Sequence, residues 1–479
     1  QHLTIEPGGA LTVVNGADIQ ISGHLELVSN GNCHGALLSV PGGVNVSGNT
    51  SVRLRFTGTS ESWHLVSSPV GGQLVEGDFT PAGSYPDGTG YDFYLWQEST
   101  MTWMNRKAPT WMAANGGNEF APGRGYLVAY QEVNPEKIFT GTLHGGTYLI
   151  PLTASGSGPY RHENLTGNPY PSGIDWKATA GLDKSDLMIS SCGGHDYYIF
   201  NHIAGNYGVY NDASMTDEGT NGCTRYIAPM QGFFVTSGPG GGTLGMDDGA
   251  RVHATSPWLK KGDGCALTLR VTDSGGNFDE VRLEYGHPVM TGAAMKRYSF
   301  IDTAPALYVE EGESQWSIVF LSGMEHEKPL HLTFMSRMTG EYTLQGYEKG
   351  RLPGEIVAED CFSGETFFPA GRSYRFSYPV SGEPRRFILY LSRTGIDPRD
   401  TADRTSIRII TRPGEIKVLL PPGEKWCHHG EISLFNASGI LMSRQTFEAA
   451  HQSTLLETGN LAEGIFFICV LTADGISVT

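Results

Sequence analysis

Leu3-Thr4-Ile5, Leu11-Thr12-Val13, Ile19-Gln20-Ile21 and Leu25-Glu26-Leu27 are apolar triplets that begin eight, eight and six residues apart. Later echoes are Leu38-Ser39-Val40, Val44-Asn45-Val46 and Val52-Arg53-Leu54. Pro7-Gly8-Gly9, Asn15-Gly16, Ser22-Gly23 and Pro41-Gly42-Gly43 punctuate them. Alternation inside each triplet points both apolar side chains to one face. Stacked units of this kind bury a continuous stripe, as in a β-solenoid. A plain antiparallel meander would carry the same pattern. A solenoid this short needs a neighbouring domain to cap it.

The next two hundred or so residues read as a duplication. Trp63-His64-Leu65-Val66-Ser67-Ser68-Pro69 parallels Glu163-Asn164-Leu165-Thr166-Gly167-Asn168-Pro169 at an offset of 100. Tyr91-Asp92-Phe93-Tyr94-Leu95-Trp96 parallels His195-Asp196-Tyr197-Tyr198-Ile199-Phe200 at 104. Pro122-Gly123-Arg124-Gly125-Tyr126-Leu127-Val128 parallels Pro229-Met230-Gln231-Gly232-Phe233-Phe234-Val235 at 107, and Gly141-Thr142-Leu143 meets Gly242-Thr243-Leu244 at 101. Each unit reads as a set of strands, so Phe93 and Tyr197, and Tyr126 and Phe233, should hold equivalent buried sites.

Residues 256–264 and 396–404 read as polar linkers. Between them lie alternating runs such as Ala266–Val271, Val281–Tyr285, Trp316–Phe320 and Phe387–Leu391, spaced as in an antiparallel sandwich. The expected fold is therefore all-β: a β-solenoid-like segment (1–57), β-repeat 1 (58–150), β-repeat 2 (151–258), an antiparallel β-sandwich (265–395) and an Ig-like C-terminal sandwich (405–479).

Composition narrows the function. Of 479 residues 64 are glycine, and Lys+Arg 33 against Asp+Glu 50 leaves a net charge of −17. Nucleic-acid binding would need a basic face to displace counterions. No apolar run reaches the ~18 residues of a membrane helix. The chain opens directly with polar Gln1-His2, the start expected after a leader is removed or of a chain produced without one. The 7 cysteines include no CxxC pair, which excludes the common zinc knuckles.

Local motifs carry little chemistry. Gly240–Gly245 fits GxGxxG, but the turn Met246-Asp247-Asp248-Gly249 follows where a phosphate site needs a helix. His326–His331 has its second histidine one residue too far for a zincin, and Pro329 interrupts the helix that motif requires. Asp247-Asp248 is first of all a turn, and Cys427-His428-His429 lies in a loop after Pro421-Pro422. No catalytic set, metal site or cofactor is therefore assigned. Aromatic side chains remain: the strand Tyr91–Trp96 reads as core, whereas Trp103 and Trp111, in a Gly/Asn/Pro-rich stretch, are candidate sugar-stacking ligand residues.

The tail carries a resemblance. Ile432-Ser433-Leu434-Phe435-Asn436-Ala437-Ser438-Gly439, followed by Leu461-Ala462-Glu463-Gly464-Ile465-Phe466, resembles the C-terminal sorting domain of type IX secretion cargo of the Bacteroidota. The triplets and the paired repeats look like those of large surface proteins that carry such domains. The family's usual basic last strand is replaced here by Ile476-Ser477-Val478-Thr479, as in a shortened tail or a non-sorting relative. The resemblance implies an extracellular or outer-surface location and export by outer-membrane secretion machinery. That machinery would recognise the last hairpin, around Gly464, Ile465, Phe466 and Gly475. It also implies O-glycosylation at Asp-Thr-Ala sequences, namely Thr303 and Thr401. In an oxidising compartment Cys192 and Cys223, which bracket the second repeat's central hairpin, are expected to pair. The leading reading is a non-enzymatic adhesive or surface-structural protein with a glycan or host-surface ligand. A polysaccharide-binding or polysaccharide-degrading surface protein is the alternative.

Overall fold

The triplets become strands that stack in parallel. The computed structural model describes residues 1–14, 16–39, 43–81, 88–155, 161–253, 264–288, 290–322, 329–370, 372–380, 384–393, 408–412, 415–419, 430–447, 453–457, 466–472 and 475–478. One coil consists of β1 (Leu3–Ile5), β2 (Ala10–Val13) and β3 (Ile19–Ile21); the next has β4 (Leu25–Leu27), β5 (Ala36–Ser39) and β6 (Val44–Val46). Leu3 pairs with Leu25, Leu11 with Leu37 and Ile19 with Val44, all in parallel. Parallel neighbours joined through a whole coil exclude the meander, whose tight turns give antiparallel pairs. Ile5, Val13, Ile21, Leu25, Leu27 and Leu37 fill the interior. β7 (Thr50–Arg55) adds a third rung to the first face, pairing with β4.

The same β7 opens the first repeat. It continues with β8 (His64–Val66), β9 (Val70–Gly71), β10 (Tyr91–Gln97), β11 (Thr102–Asn105), the short helix α1 (Trp111–Asn115), β12 (Tyr126–Tyr130), β13 (Glu136–Thr140) and β14 (Thr142–Leu143). The second repeat has β15 (Tyr148–Leu152), β16 (Glu163–Gly167), β17 (Gly173–Asp175), β18 (Leu182–Asp183), β19 (Asp196–Asn201), β20 (Asn206–Asn211), β21 (Tyr226–Ile227), β22 (Gly232–Thr236), β23 (Gly242–Met246) and β24 (Arg251–Val252). The central sheets share one order, β8-β12-β10-β11 and β16-β22-β19-β20. Phe93, Tyr197, Tyr126 and Phe233 are all fully buried in the equivalent places. The fourth sequence parallel is corrected. β13 pairs with β7 as β23 pairs with β15, and β14 pairs with β9 as β24 pairs with β17. Thr142-Leu143 therefore corresponds to Arg251-Val252, and the match of Gly141-Thr142-Leu143 to Gly242-Thr243-Leu244 joins strands of different layers.

Alternation along these strands builds separate cores. Phe93, Tyr126 and Val128 face a core shared with the solenoid interior, and Tyr197, Tyr210 and Phe233 face the second repeat's own core. The neighbouring residues Leu65, Leu127, Leu165, Tyr198 and Phe234 point the other way into a third cluster common to both repeats. The repeats contact one another reciprocally: Val66 bridges Gln231 as Thr166 bridges Arg124.

The chain divides into two compact units, residues 1–322 with 335–352 and 373–382, and residues 323–334 with 353–372 and 383–479. In the first unit the repeats are followed by strands Cys265–Asp273, Phe278–Tyr285, Thr291–Met295, Ala306–Glu311, Ser314–Leu321, Gly340–Lys349 and Ser373–Tyr378. Their pairing is antiparallel except that Phe278–Tyr285 runs parallel to Ser314–Leu321. A buried ionic network ties them to the second repeat. Lys296 pairs with Asp279, and Asn221 donates to Asp279 Oδ1 at 2.8 Å while Ser214 donates to Glu284 Oε2 at 2.7 Å. In the second unit, Gly354–Asp360 pairs with Arg385–Arg393, which pairs with Leu330–Met335. The tail forms a sheet of three strands and a sheet of four, closed over Ile416, Val418, Ile432, Leu434, Ile468 and Val470. The protein is all-β. Among the described residues α1 is the one α-helix, and no helix is long and apolar enough to cross a membrane.

Candidate functional site

A groove of about 770 Å³ opens where the solenoid's third face stops at β6. That volume lies within the ~300–1,000 Å³ of typical ligand sites. One wall is Val44, Asn45, Val46 and Asn49; the other is Gly71, Gly72, Thr140, Gly141 and Thr142. The two walls come from different structures. β6 belongs to the coil stack, whereas β9 and β14 form the short hairpin sheet of the first repeat. β13 carries Thr140 to the groove because it pairs with β7, the rung shared by solenoid and repeat. No Asp, Glu, Lys or Arg lines the groove. The one ionisable lining side chain is His144, whose Nδ1 lies 3.0 Å from the Pro169 carbonyl oxygen. Burial holds its pKa below the ordinary imidazole range, so it is uncharged at neutral pH. The groove presents amides, hydroxyls and bare backbone, a surface for binding neutral polar matter. It has no acid–base pair or activated nucleophile.

A smaller cavity of about 230 Å³ is lined by His34, His64 and His202. The His64 and His202 rings lie 4.5 Å apart, and His202 Nε2 is 3.4 Å from Thr57 Oγ1. Burial, reinforced by the neighbouring His202, pushes His64 down to about 3, and burial alone takes His34 to about 4. His34 Nδ1 is shielded from solvent without a partner. These are neutral core imidazoles. Among the described residues no group of three or more His, Cys, Asp or Glu could hold a metal ion.

The aromatic platform is corrected. Trp111 is fully buried in the core beneath α1, edge-on to Phe93 at 5.9 Å. Trp103 packs edge-on against Trp96 at 5.1 Å and Phe234 at 5.9 Å, inside the cluster the repeats share. Neither ring offers a face to a sugar. Their surroundings are Gly- and Asn-rich because the turns beside them are tight, which from sequence looks the same as exposure.

The Cys192–Cys223 pairing is corrected as well. Both thiols are free. Cys223 lies in the second repeat's own core with Tyr197 and Phe233, whereas Cys192 packs with Tyr198 and Phe234 on the opposite face of the same sheet. Cys192 Sγ instead contacts Ser190 Oγ at 2.8 Å. Bracketing a hairpin in sequence does not say which face each sulfur takes.

The remaining motifs resolve into structural roles. Asp247 accepts from the Gly249 N–H at 2.7 Å, and Asp248 pairs with Arg251 at 2.7 Å. Gly242–Met246 is strand β23, with no helix after it for a phosphate. His331 sits on a strand. Thr303 is exposed in a turn beside Asp302, which pairs with Arg337 at 2.5 Å. Phe466 packs on the tail core, and Gly475 begins Gly475–Val478, the edge strand of its sheet. Thr401, Gly464, Ile465, the Cys427-His428-His429 run, residues 323–328 and nearly all of both linkers lie outside the described residues. Sequence reasoning missed the groove. Its walls lie up to about a hundred residues apart, and its only local trace is the glycine density at Gly71-Gly72 and Gly141.

A family model described as "Domain of unknown function (DUF8693)" matches residues 1–255, the solenoid and both repeats. No curated protein matches the chain. Among solved structures it is similar to a chain called "Biofilm associated protein - BSP domain", at 8% identity and a TM-score of 0.15. That comparison covers 88% of this chain and 59% of the other, so this chain spans less than two thirds of its length.

Proposed function

The chain belongs to the DUF8693 family, and on that footing we propose that it is a non-enzymatic recognition protein of the cell exterior, adhesive through the solenoid-end groove. The observation that carries this reading is the groove's wholly uncharged, glycine-rich lining. Hydrolysis of a polysaccharide requires a pair of carboxyl groups flanking the scissile bond, and this groove holds none. Placement at the exterior rests on the tail's resemblance to sorting domains. The tail's two-sheet fold and its Gly475–Val478 edge strand suit a partner that docks on an exposed hairpin. The outer-membrane secretion machinery is that partner in this reading. The O-glycosylation of Thr303 and Thr401 belongs to the same proposal.

Beads coated with the full chain, applied to cultured cell layers, test the recognition role. Retention should fall about ten-fold or more when Thr142→Trp fills the groove, since one bulky ring removes most direct contacts. Retention unchanged by Thr142→Trp overturns the groove as the adhesive site. Release of reducing ends from polysaccharide by the purified chain overturns the non-enzymatic reading in favour of a degrading enzyme. Deletion of 405–479 should leave the rest folded but stop export in the host that makes the protein. Normal surface display would remove the sorting role.

A further inference from the structure

Three strand edges face away from the coils at the groove end of the solenoid, and two of them are covered by the chain itself. β7 is paired along its length by β13. At β5, the Leu37 N–H donates to the Pro171 carbonyl at 2.9 Å, and the Arg251 guanidinium donates to the Leu37 and Ser39 carbonyls at 2.7 and 2.8 Å. The third edge is β6. In its ladder with β3, the Ile19 N–H donates to the Gly43 carbonyl at 3.0 Å and the Ser47 N–H to the Ile21 carbonyl at 2.8 Å. Two-residue alternation then turns the main-chain groups of Gly43, Asn45 and Ser47 toward β3. Those of Val44 and Val46 turn outward. Among the described residues no strand or loop pairs with these outward groups. They border the groove.

The facing wall supplies the second half of the argument. Gly71, Gly72 and Gly141 have no side chains to keep an incoming main chain at a distance. The lining has no aromatic ring beyond the His144 imidazole on which a sugar face could stack, and no charge to meet a charged ligand.

We propose, building on the recognition role above, that the groove binds an extended, uncharged peptide segment as an added strand on β6. The Val44 and Val46 N–H groups donate to it, and their carbonyls accept from it. The peptide supplies the rung that the chain leaves out on the solenoid's third face. Specificity for an extended main chain follows from the outward groups repeating every second residue, about 6.6 Å along the strand.

The test uses the full chain, fluorescein-labelled octapeptides of alternating Thr and Val, and an array of neutral oligosaccharides, with binding read by anisotropy. N-methylation of one alternate set of peptide nitrogens should weaken binding about ten-fold, while methylation of the other set leaves it unchanged. Val46→Pro should weaken binding about three- to ten-fold with the melting curve retained, because the N–H it deletes makes no bond inside the fold. Asn45→Pro, whose N–H serves β3, is the unfolding control. Should Val46→Pro fail to fold, the methylated peptides give the same reading without it. Absence of peptide binding at about millimolar concentration, or methylation effects without a two-residue period, overturns the strand-addition proposal. Binding of oligosaccharides alone also overturns it and leaves the recognition role standing. Adhesion indifferent to Thr142→Trp would remove both.

Discussion

Gly125 and Gly232 occupy equivalent positions in the two repeats, each pressed against the other repeat's backbone. A Cβ on Gly125 would lie 2.4 Å from the Thr166 carbonyl oxygen, and one on Gly232 3.0 Å from the Val66 nitrogen. Neither glycine has a positive φ, so the requirement is steric. The relation is the one that joins Val66 to Gln231 and Thr166 to Arg124. The duplicated halves pack by exchange of the same contact, as the two subunits of an isologous dimer do.

Gly125→Ala should therefore destabilise the protein by roughly 1–3 kcal/mol, the usual range for overpacking a filled site. Gly232→Ala should cost less, because its neighbours need to give less. Chemical denaturation of both variants checks the order; equal and negligible costs would show that the repeats do not meet this closely.

Lys296 and Asp279 form an ion pair with both side chains essentially excluded from solvent. Asp279 also accepts from Leu307 N at 2.6 Å and Asn221 Nδ2 at 2.8 Å. Lys296→Met alone should cost about 3–5 kcal/mol, since it strands a buried carboxylate. The double variant Lys296→Met, Asp279→Asn should recover much of that loss. A double variant as unstable as the single one would show that packing around Lys296, rather than charge, carries the cost.

Stability should respond to acid through His34 and His64. Their folded-state values, about 4 and about 3, lie below the ordinary 6.5. The unfolded chain therefore binds more protons in this window. Their contribution is complete above pH 6.5 and is lost as pH falls toward 4, at ~1.4 kcal/mol per unit for each. Asp196 works in the opposite direction. Burial pushes it up to about 7, so its contribution is complete below about pH 4 and is lost as pH rises to 7. Asp196→Asn should raise the melting temperature at pH 8 and make the acid loss steeper between pH 6.5 and 4. A melting profile parallel to wild type would contradict the assignment.

Cys192 and Cys223 should remain unpaired even in exported protein. Intact mass under non-reducing conditions, after alkylation in denaturant, should show both thiols modified. Under native conditions Cys223, only 1% exposed and pushed up to about 12 by burial, should label far more slowly than Cys192. A mass two daltons lower, mapped to these residues, would restore the disulfide.

Local periodicity was enough to specify the all-β class, the coil spacing and the duplication. Leu3, Leu11 and Ile19 alternate with polar neighbours because each strand has a wet and a dry side, and that pattern is written residue by residue. The repeat offset grows from 100 to 104 to 107 along the chain, and only the strand pairing shows that Thr142 continues the series to Arg251 instead of falling back to Thr243. A three-residue similarity is too short to distinguish neighbouring layers. Whether an aromatic is core or platform also escaped the sequence. Trp111 and an exposed tryptophan have the same local composition, and burial is settled by what arrives from elsewhere. The groove is the extreme case: Val46 and Gly71 acquire a function only when β7 and β13 pair across the solenoid end. The sheet that places Cys192 and Cys223 on opposite faces is likewise a product of long-range pairing. Alternation along one strand is a local consequence of backbone geometry, whereas edges, cavities and faces arise between strands. Those were decided by the tertiary structure alone.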